Sequence, residues 1–556
     1  MSYDLQKLNL PRLTGAALQA FAAAVESQAI RPFLLNSLLE NGGVMKLRRM
    51  TVEEPPTFLP LAGAGDGAPP GGPAGGSFEL TGAPRSDFPY RTVGDYARAY
   101  QRGELSPVEA AERVLAAVEA SDQGDAPLRA FIAIQREDVL AQARAAQERI
   151  RAGRALGPLD GVPVAVKDEV DMVPYPTTVG TRIFGKSPAQ ADAAVVARLR
   201  SAGALLVGKA NMHEIGISPC GLNVHYGSTR NPYDDRCDTG GSSSGSAVAV
   251  AAGITPVAVG ADGGGSIRIP AALCGVVGIK PTFGRVSEYG AAPLCWSVAH
   301  LGPLADCVED LALAYAVMAG PDANDPHSLA QPPVDLAGWN RTDLKGVRLG
   351  IYPAWFEHAA PGVVAACREM LDALRLAGAE VREICIPGLD AMRIAHAVTI
   401  LAEMAVAMRP YRPLRRQQGA SVRLALVLGE VVTASDYLQA QRVRTRAMQT
   451  FRDLFQQVDV IVSPATALAA PPIPAGGLPG GWSDLGTDTE MMRYAFVGNL
   501  TGLPAISFPA GYDERGLPVG MQAMGRHWEE ALLLRVANVA EQNLTRRKPR
   551  RFYPIF

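Results

Sequence analysis

Residues 238–268 read DTGGSSSGSAVAVAAGITPVAVGADGGGSIR. Two glycine-rich turns, Gly240-Gly241-Ser242-Ser243-Ser244-Gly245-Ser246 and Gly263-Gly264-Gly265-Ser266-Ile267-Arg268, bracket an apolar run. No charged side chain occurs between Asp238 and Asp262, so the run exceeds the ~18 residues that mark a membrane-spanning candidate. Thr239, four serines, several glycines and Pro256 interrupt it, however, and bare turn backbone cannot be satisfied in lipid. The stretch therefore predicts a buried helix from Ser246 to Ala252 followed by a buried strand from Thr255 to Gly260. That unit belongs to an α/β core, with a serine turn at each end.

The same alternation extends outward. Short β-rich runs at 162–166, 204–208, 255–260, 347–352, 381–386, 458–463 and 504–508 are separated by helical patterns. This order predicts a mainly parallel or mixed sheet covered by helices on both faces. No repeat and no composition break divides 88–556, which reads as one catalytic domain. Before it, 62–87 is a Gly/Pro-rich linker, with 62–77 reading AGAGDGAPPGGPAGGS. Residues 1–61 read as a helical extension. Leu18, Phe21, Ala22, Val25 and Ala29 recur at helical spacing, and Thr14 is placed to cap that helix. Phe33, Leu34, Leu35, Leu38 and Leu39 form a denser apolar group, expected to pack on the main body or on another copy of the chain. A membrane-touching or channel-guarding element is the competing role.

Composition narrows the function. The chain has 53 basic and 55 acidic residues, a net charge of −2, and 48% hydrophobic residues. That balance provides no electrostatic pull toward nucleic acid. Seven cysteines without a Cys-x-x-Cys pair read as free thiols in a reducing compartment. With no signal-peptide pattern at the N-terminus, the expected location is the cytoplasm, with membrane association as a variant. The basic tail at Arg546, Arg547, Lys548, Arg550 and Arg551 reads as a solvated run.

A serine hydroxyl becomes a nucleophile when a base removes its proton and backbone N–H groups receive the oxyanion. The run Val162-Pro163-Val164-Ala165-Val166 leads straight into Lys167, so an amine is the leading base. A lysine acts as a base only when neutral. Bringing its pKa from about 10.4 to about 7 takes about 4.6 kcal/mol of desolvation and hydrogen bonding, and the end of an apolar strand suits that burial. Other patterns are weaker. Gly241-Ser242-Ser243-Ser244-Gly245 matches G-x-S-x-G and would nominate Ser243, but a polar loop rather than a strand leads into it. His213-Glu214 begins like a zinc motif, yet Ile217 stands where the second histidine would be. No metal, nucleotide or other cofactor is expected.

At Lys167, at both serine turns and at Gly208-Lys209-Ala210-Asn211-Met212-His213-Glu214, the chain resembles the amidase signature family. The family block of two glycines and serines, followed by G-G-S-[IV]-R-x-P, appears as Gly240 to Ser246 and Gly264 to Pro270. Within that family it is most similar to the plant-type fatty acid amide hydrolases. Asp262 to Ser266, the Pro464 to Pro474 loop, Asp436-Tyr437 to Arg446, Pro504 to Gly525 and Leu13-Thr14-Gly15 carry the likeness. It spans nearly the whole chain apart from 62–77, and departs at Ser218-Pro219-Cys220, near the expected pocket.

The resemblance implies an α/β/α sandwich with a large twisted mixed sheet. It also implies a serine amidohydrolase working through a Ser–cis-Ser–Lys triad and an acyl-enzyme. Ser266 would attack, Ser242 would relay the proton after a cis peptide at Gly241, and Lys167 would be the base. The N–H groups of Gly263, Gly264, Gly265 and Ser266 would form the oxyanion hole, with Ser243, Asp262 and Arg268 in support. The implied substrates are small amides, lipid-like and typified by N-acylethanolamines, cleaved to fatty acid and amine. A homodimer and peripheral membrane contact are also implied. The alternatives are a short-chain or aryl amidase, and an amidotransferase A-type subunit supplying ammonia to a partner.

Overall fold

The computed structural model describes residues 3–7, 12–62, 80 and 90–556. Of the 62–87 linker only Ala62 and Leu80 fall in that range; the rest lies outside the described residues. Eleven strands form one sheet. In chain order they are β1 (Phe131–Ala133), β2 (Pro163–Lys167), β3 (Leu205–Ala210), β4 (Val257–Ala261), β5 (Val277–Lys280), β6 (Leu301–Ala305), β7 (Arg348–Ile351), β8 (Glu380–Glu383), β9 (Val460–Pro464), β10 (Ala505–Tyr512) and β11 (Pro518–Gly525). Their spatial order is β1-β3-β2-β4-β6-β5-β10-β11-β9-β7-β8. Pairs β2–β3, β2–β4, β7–β9 and β7–β8 are parallel, while the centre from β4 through β11 to β9 is antiparallel. The class is α/β with a mixed sheet.

All seven runs predicted as strands are strands. Four others were not expected: β1, β5, β6 and β11. Their composition explains this, since β6 contains Gly302 and Pro303 and β11 opens on Pro518 and holds two glycines. Such residues weaken a strand signal, and here burial and pairing override it. These strands build much of the antiparallel centre.

Side-chain alternation along the strands makes two cores. Val460 and Val462 of β9 join the helices Pro361–Leu376 and Glu530–Gln542. Ile461 between them joins the helices Leu389–Ala407 and Ala434–Gln457 on the other face. The predicted helix–strand unit spans Ser244–Ala251 and Val257–Ala261, and every residue of both is buried.

Three N-terminal helices, Gly15–Glu26, Arg31–Asn41 and Val44–Arg49, lie against the main body. Leu18 and Ala22 pack on Ala420, Val25 packs on Leu424 and Val427, and Val44 and Leu47 enter the second core. Two expectations change here and one holds in part. Thr14 takes the N-cap position, but its side chain makes no capping bond. In the second helix Leu39 is buried and Leu34, Leu35 and Leu38 pack against the main body, whereas Phe33 is 84% exposed. The basic tail is not uniformly solvated: Arg546 is buried and donates to the carbonyls of Gly275 and Asp306, and Arg551 donates to those of Ala126 and Ser121. None of the seven cysteines forms a disulfide, and Cys385 alone is exposed. Among the described residues no single helix is long and apolar enough to cross a membrane.

Candidate active site

Strands β2 and β4 run parallel and adjacent, so their C-terminal ends open on the same edge. Lys167 closes β2, and the Asp262 to Ser266 turn follows β4. The serine turn at Gly240 to Ser243 enters the helix that leads back into β4. Topology thus gathers three segments distant in sequence at one strand edge.

Lys167 is 1% exposed, and its Nζ lies 2.8 Å from Ser242 Oγ and 3.1 Å from the Ala261 carbonyl. The Gly241–Ser242 peptide is cis. Gly241 has no room for a side chain, since a Cβ there would sit 2.1 Å from the Cys220 carbonyl oxygen. Ser242 is buried, whereas Ser266 is the more open hydroxyl at 8% exposed. Ser243 N donates to the Ser266 carbonyl at 3.2 Å, which ties the two turns together. The Ser243 hydroxyl itself is fully buried, donating to Ala261 O at 3.1 Å and accepting from Ala261 N at 3.2 Å. It is turned into the core, which removes the G-x-S-x-G reading.

Asp262 organises the glycine turn. Arg268 meets it with two nitrogens, each at 3.0 Å, and Asn499 Nδ2 donates to it at 2.9 Å. Burial alone would raise this carboxyl, but the Arg268 guanidinium, with Lys280 and Asn499, holds it well below the usual carboxylate range. Arg268 also donates to Gln522 and Asn499, each at 2.6 Å, anchoring the turn to β11 and the helix Phe496–Thr501.

One expected oxyanion donor is corrected here. Gly265 N–H is engaged by Asp262 Oδ1 at 2.6 Å. Among the described residues the amides of Gly263, Gly264 and Ser266 donate to no protein acceptor, so the open set is these three. His396 Nε2 lies 2.8 Å from the Gly263 carbonyl. Burial lowers this imidazole to about 4, so the ring is neutral and its Nε2–H donates. Because a trans peptide sets its N–H opposite its C=O, that bond turns Gly264 N–H away from His396. Gly264 must be glycine, since a Cβ would come within 2.9 Å of His396 and Met492.

Beside this turn lies a cavity of about 180 Å³, whose walls include Ile217, Pro219, Ile400, Met492 and Phe496. Asp488 also lines it, 3.3 Å from the Ser218 hydroxyl. Burial, with the charge of Asp484 adding to it, pushes this carboxyl up to about 8. Asp488 is therefore largely protonated at neutral pH, while Arg393, Glu490 and Arg493 also line the cavity. His396, Asn499 and Asp488 carry no signal in the sequence, because they lie more than a hundred residues from the serine turns on helices without local signature; Gln522 falls within the Pro504 to Gly525 stretch that shares the family likeness, but nothing there marks it individually. Glu169 could have been noticed: it stands two residues after Lys167, and its Oε2 is 3.1 Å from Lys167 Nζ.

A second carboxylate holds the serine turn from behind. Asp238 Oδ1 accepts from Gly240 N at 2.6 Å and Gly221 N at 3.0 Å. Burial outweighs those donors and raises the group to about 6. A carboxyl whose folded pKa exceeds its unfolded ~3.9 contributes stability that is full below that value and lost as pH rises through about 6. Asp238→Asn keeps the acceptor oxygen and removes the titration. The variant is expected to melt above the parent at pH 8, with the gap closing toward pH 4 in thermal scans. An equal gap at both values would remove Asp238 from this role.

Relatives share this architecture. The Amidase family model matches residues 112–534. A fatty acid amide hydrolase from Arabidopsis thaliana is 36% identical over 100% of this chain and 96% of its own length. Another from Medicago truncatula is 37% identical, again over 100% of this chain and 96% of its own. The A-type subunit of the glutamyl-tRNA(Gln) amidotransferase of Chloroflexus aggregans is 37% identical over 82% of this chain and 97% of its own. Among solved structures, a chain from a vestigial protein complex bearing on the origins of an s-triazine catabolic enzyme superposes with a TM-score of 0.76. Its identity is 34%, over 82% of this chain and 99% of that one.

Proposed function

The chain belongs to the amidase signature family and is an amide-cleaving hydrolase; on that premise we propose that it hydrolyses fatty acid amides such as N-acylethanolamines. Ser266 is the nucleophile, Ser242 relays its proton, and Lys167 is the base. The observation that carries this reading is the buried 2.8 Å contact between Lys167 Nζ and Ser242 Oγ. Ser266 attacks the amide carbonyl, and the oxyanion is received by the open amides of Gly263, Gly264 and Ser266. Removing one such donor typically costs about 2.7–4 kcal/mol in the transition state. The ammonium then returns its proton through Ser242 to the departing nitrogen, and water cleaves the acyl-enzyme.

Support for a lipid substrate comes from the apolar side chains Ile217, Pro219, Ile400, Met492 and Phe496 of the adjoining cavity. A methylene buried there gains about 0.8 kcal/mol, so about four of them raise kcat/KM by about two orders of magnitude. Steady-state rates on a long-chain acylethanolamide should exceed those on acetanilide or acetamide by at least that factor. Turnover of acetanilide with none of the long-chain amide would instead favour a short-chain or aryl amidase. Amide turnover by the purified chain alone separates it from an amidotransferase subunit that needs a partner. We also propose a homodimer through the N-terminal helices, where exposed Phe33 offers an apolar contact; a monomer in sedimentation velocity would exclude it. Peripheral membrane contact by the same helices is the competing role, read out by vesicle flotation.

A further inference from the structure

We propose that His396 is a positioning residue for the oxyanion hole, its Nε2–H latching the Gly263–Gly264 peptide in the orientation that presents Gly264 N–H to the reacting carbonyl. The inference rests on the roles proposed for Lys167, Ser242 and Ser266 and for the open amides beside them. A trans peptide sets its N–H opposite its own C=O, so a bond that holds the carbonyl aims the amide. All three open amides are aimed in this way. The Asp262 carbonyl accepts from Asn499 Nδ2 at 2.8 Å, opposite Gly263 N–H. The Gly263 carbonyl meets His396 Nε2 at 2.8 Å, opposite Gly264 N–H. The Gly265 carbonyl accepts from Ile269 N at 2.7 Å, opposite Ser266 N–H.

The three peptide planes differ in how firmly they are fixed. Ile269 belongs to the helix Arg268–Cys274, so its bond is part of the helix entry. Asn499 Nδ2 also donates to Asp262 Oδ1 at 2.9 Å and to the Val298 carbonyl at 3.0 Å, while its Oδ1 accepts from Arg268 at 2.6 Å. That network holds the amide side chain from every side. The Gly263–Gly264 peptide has neither kind of support. It is flanked by two residues without Cβ, whose backbone rotates at little steric cost. Among the described residues, His396 makes the only hydrogen bond to it. Without that bond the plane is free to turn over, and the Gly263 carbonyl would then face the forming oxyanion in place of a donor. His396 is itself well held: it is buried on the helix Leu389–Ala407, and its ring would lie 2.9 Å from a Cβ on Gly264. The same residue lines the cavity beside the turn, so a substrate seated there packs against the latch.

Two substitutions separate the donor from the bulk of the ring. H396F keeps an aromatic ring and lacks the donor, whereas H396Q keeps an N–H donor on an arm of similar reach. On an amide that the parent hydrolyses, H396F should lose about 10²–10³ in kcat, the effect of one oxyanion donor, with KM nearly unchanged. H396Q should recover most of that loss. A trifluoromethyl ketone of the same acyl chain takes Ser266 Oγ onto its carbonyl carbon and so places an oxyanion in the hole. Its Ki should rise in H396F by the factor by which kcat falls. The Kd of the intact amide, measured in S266A with and without H396F, should stay the same, because the ground state carries no oxyanion. A merely structural role would weaken ketone and amide alike. Such equal weakening, or an H396F kcat equal to the parent's, overturns the proposal. If H396F fails to fold, H396L, which also lacks the donor, carries the same comparison. A parent that neither hydrolyses amides nor bonds the ketone at Ser266 would instead sink the underlying triad reading.

Discussion

Ser266→Ala is expected to lower amide kcat/KM by about four to six orders of magnitude while leaving the melting temperature close to the parent's. The size follows from the proposed role, since losing an enzyme's covalent nucleophile removes the whole acyl-enzyme route and leaves only binding and oxyanion stabilisation. The unchanged stability follows from the structure. Ser266 is the most open of the three side chains of the proposed triad, and among the described residues its hydroxyl makes no protein hydrogen bond. Deleting it leaves no buried partner unsatisfied. Its backbone carbonyl, which accepts from Ser243 N, is untouched. Mass spectrometry after fluorophosphonate treatment should find the adduct on Ser266 and none on Ser243, whose hydroxyl is locked between two backbone groups of Ala261. Label on Ser243, or turnover surviving in Ser266→Ala, would reassign the nucleophile.

Particular residues mark how far the amino-acid sequence reaches. Lys167 ends an apolar strand, and the two serine turns flank a helix and strand without charges. These local patterns place Lys167 at a strand end and the two serine turns at the ends of a buried helix–strand unit; that the three residues share one site is what the family resemblance implies. The antiparallel centre stays hidden, because Pro303 and the glycines of β11 look like loop residues until the neighbouring strands bury them. Gly265 shows a subtler limit. Its amide looks identical to its neighbours' in sequence, yet Asp262, folded back beneath the turn by Arg268 and Asn499, takes that N–H for itself. The same holds for His396, which reaches Gly263 from a helix with no motif around it. Local chemistry is legible along the chain, whereas partners supplied by distant helices are not.

Lys167→Ala should separate amides from activated esters. With Lys167 as the proposed base, both substrates need it for acylation, so both are expected to lose rate. Only the amide needs a proton delivered to its departing nitrogen, because an amine leaves as the neutral species, whereas p-nitrophenolate leaves unassisted. General acid catalysis is worth about 10²–10⁴. The expected result is therefore an amide loss exceeding that of a matched p-nitrophenyl ester of the same acyl chain by that factor. The substitution also strips a partner from Ser242 Oγ, the Ala261 carbonyl and Glu169 at once, so some destabilisation is expected and melting curves must accompany the rates. Because both substrates are read on the same folded fraction, their ratio is insensitive to that loss. Equal losses on amide and ester would mean that Lys167 delivers no proton to the leaving group, and the Ser242 relay would then carry protons in one direction only.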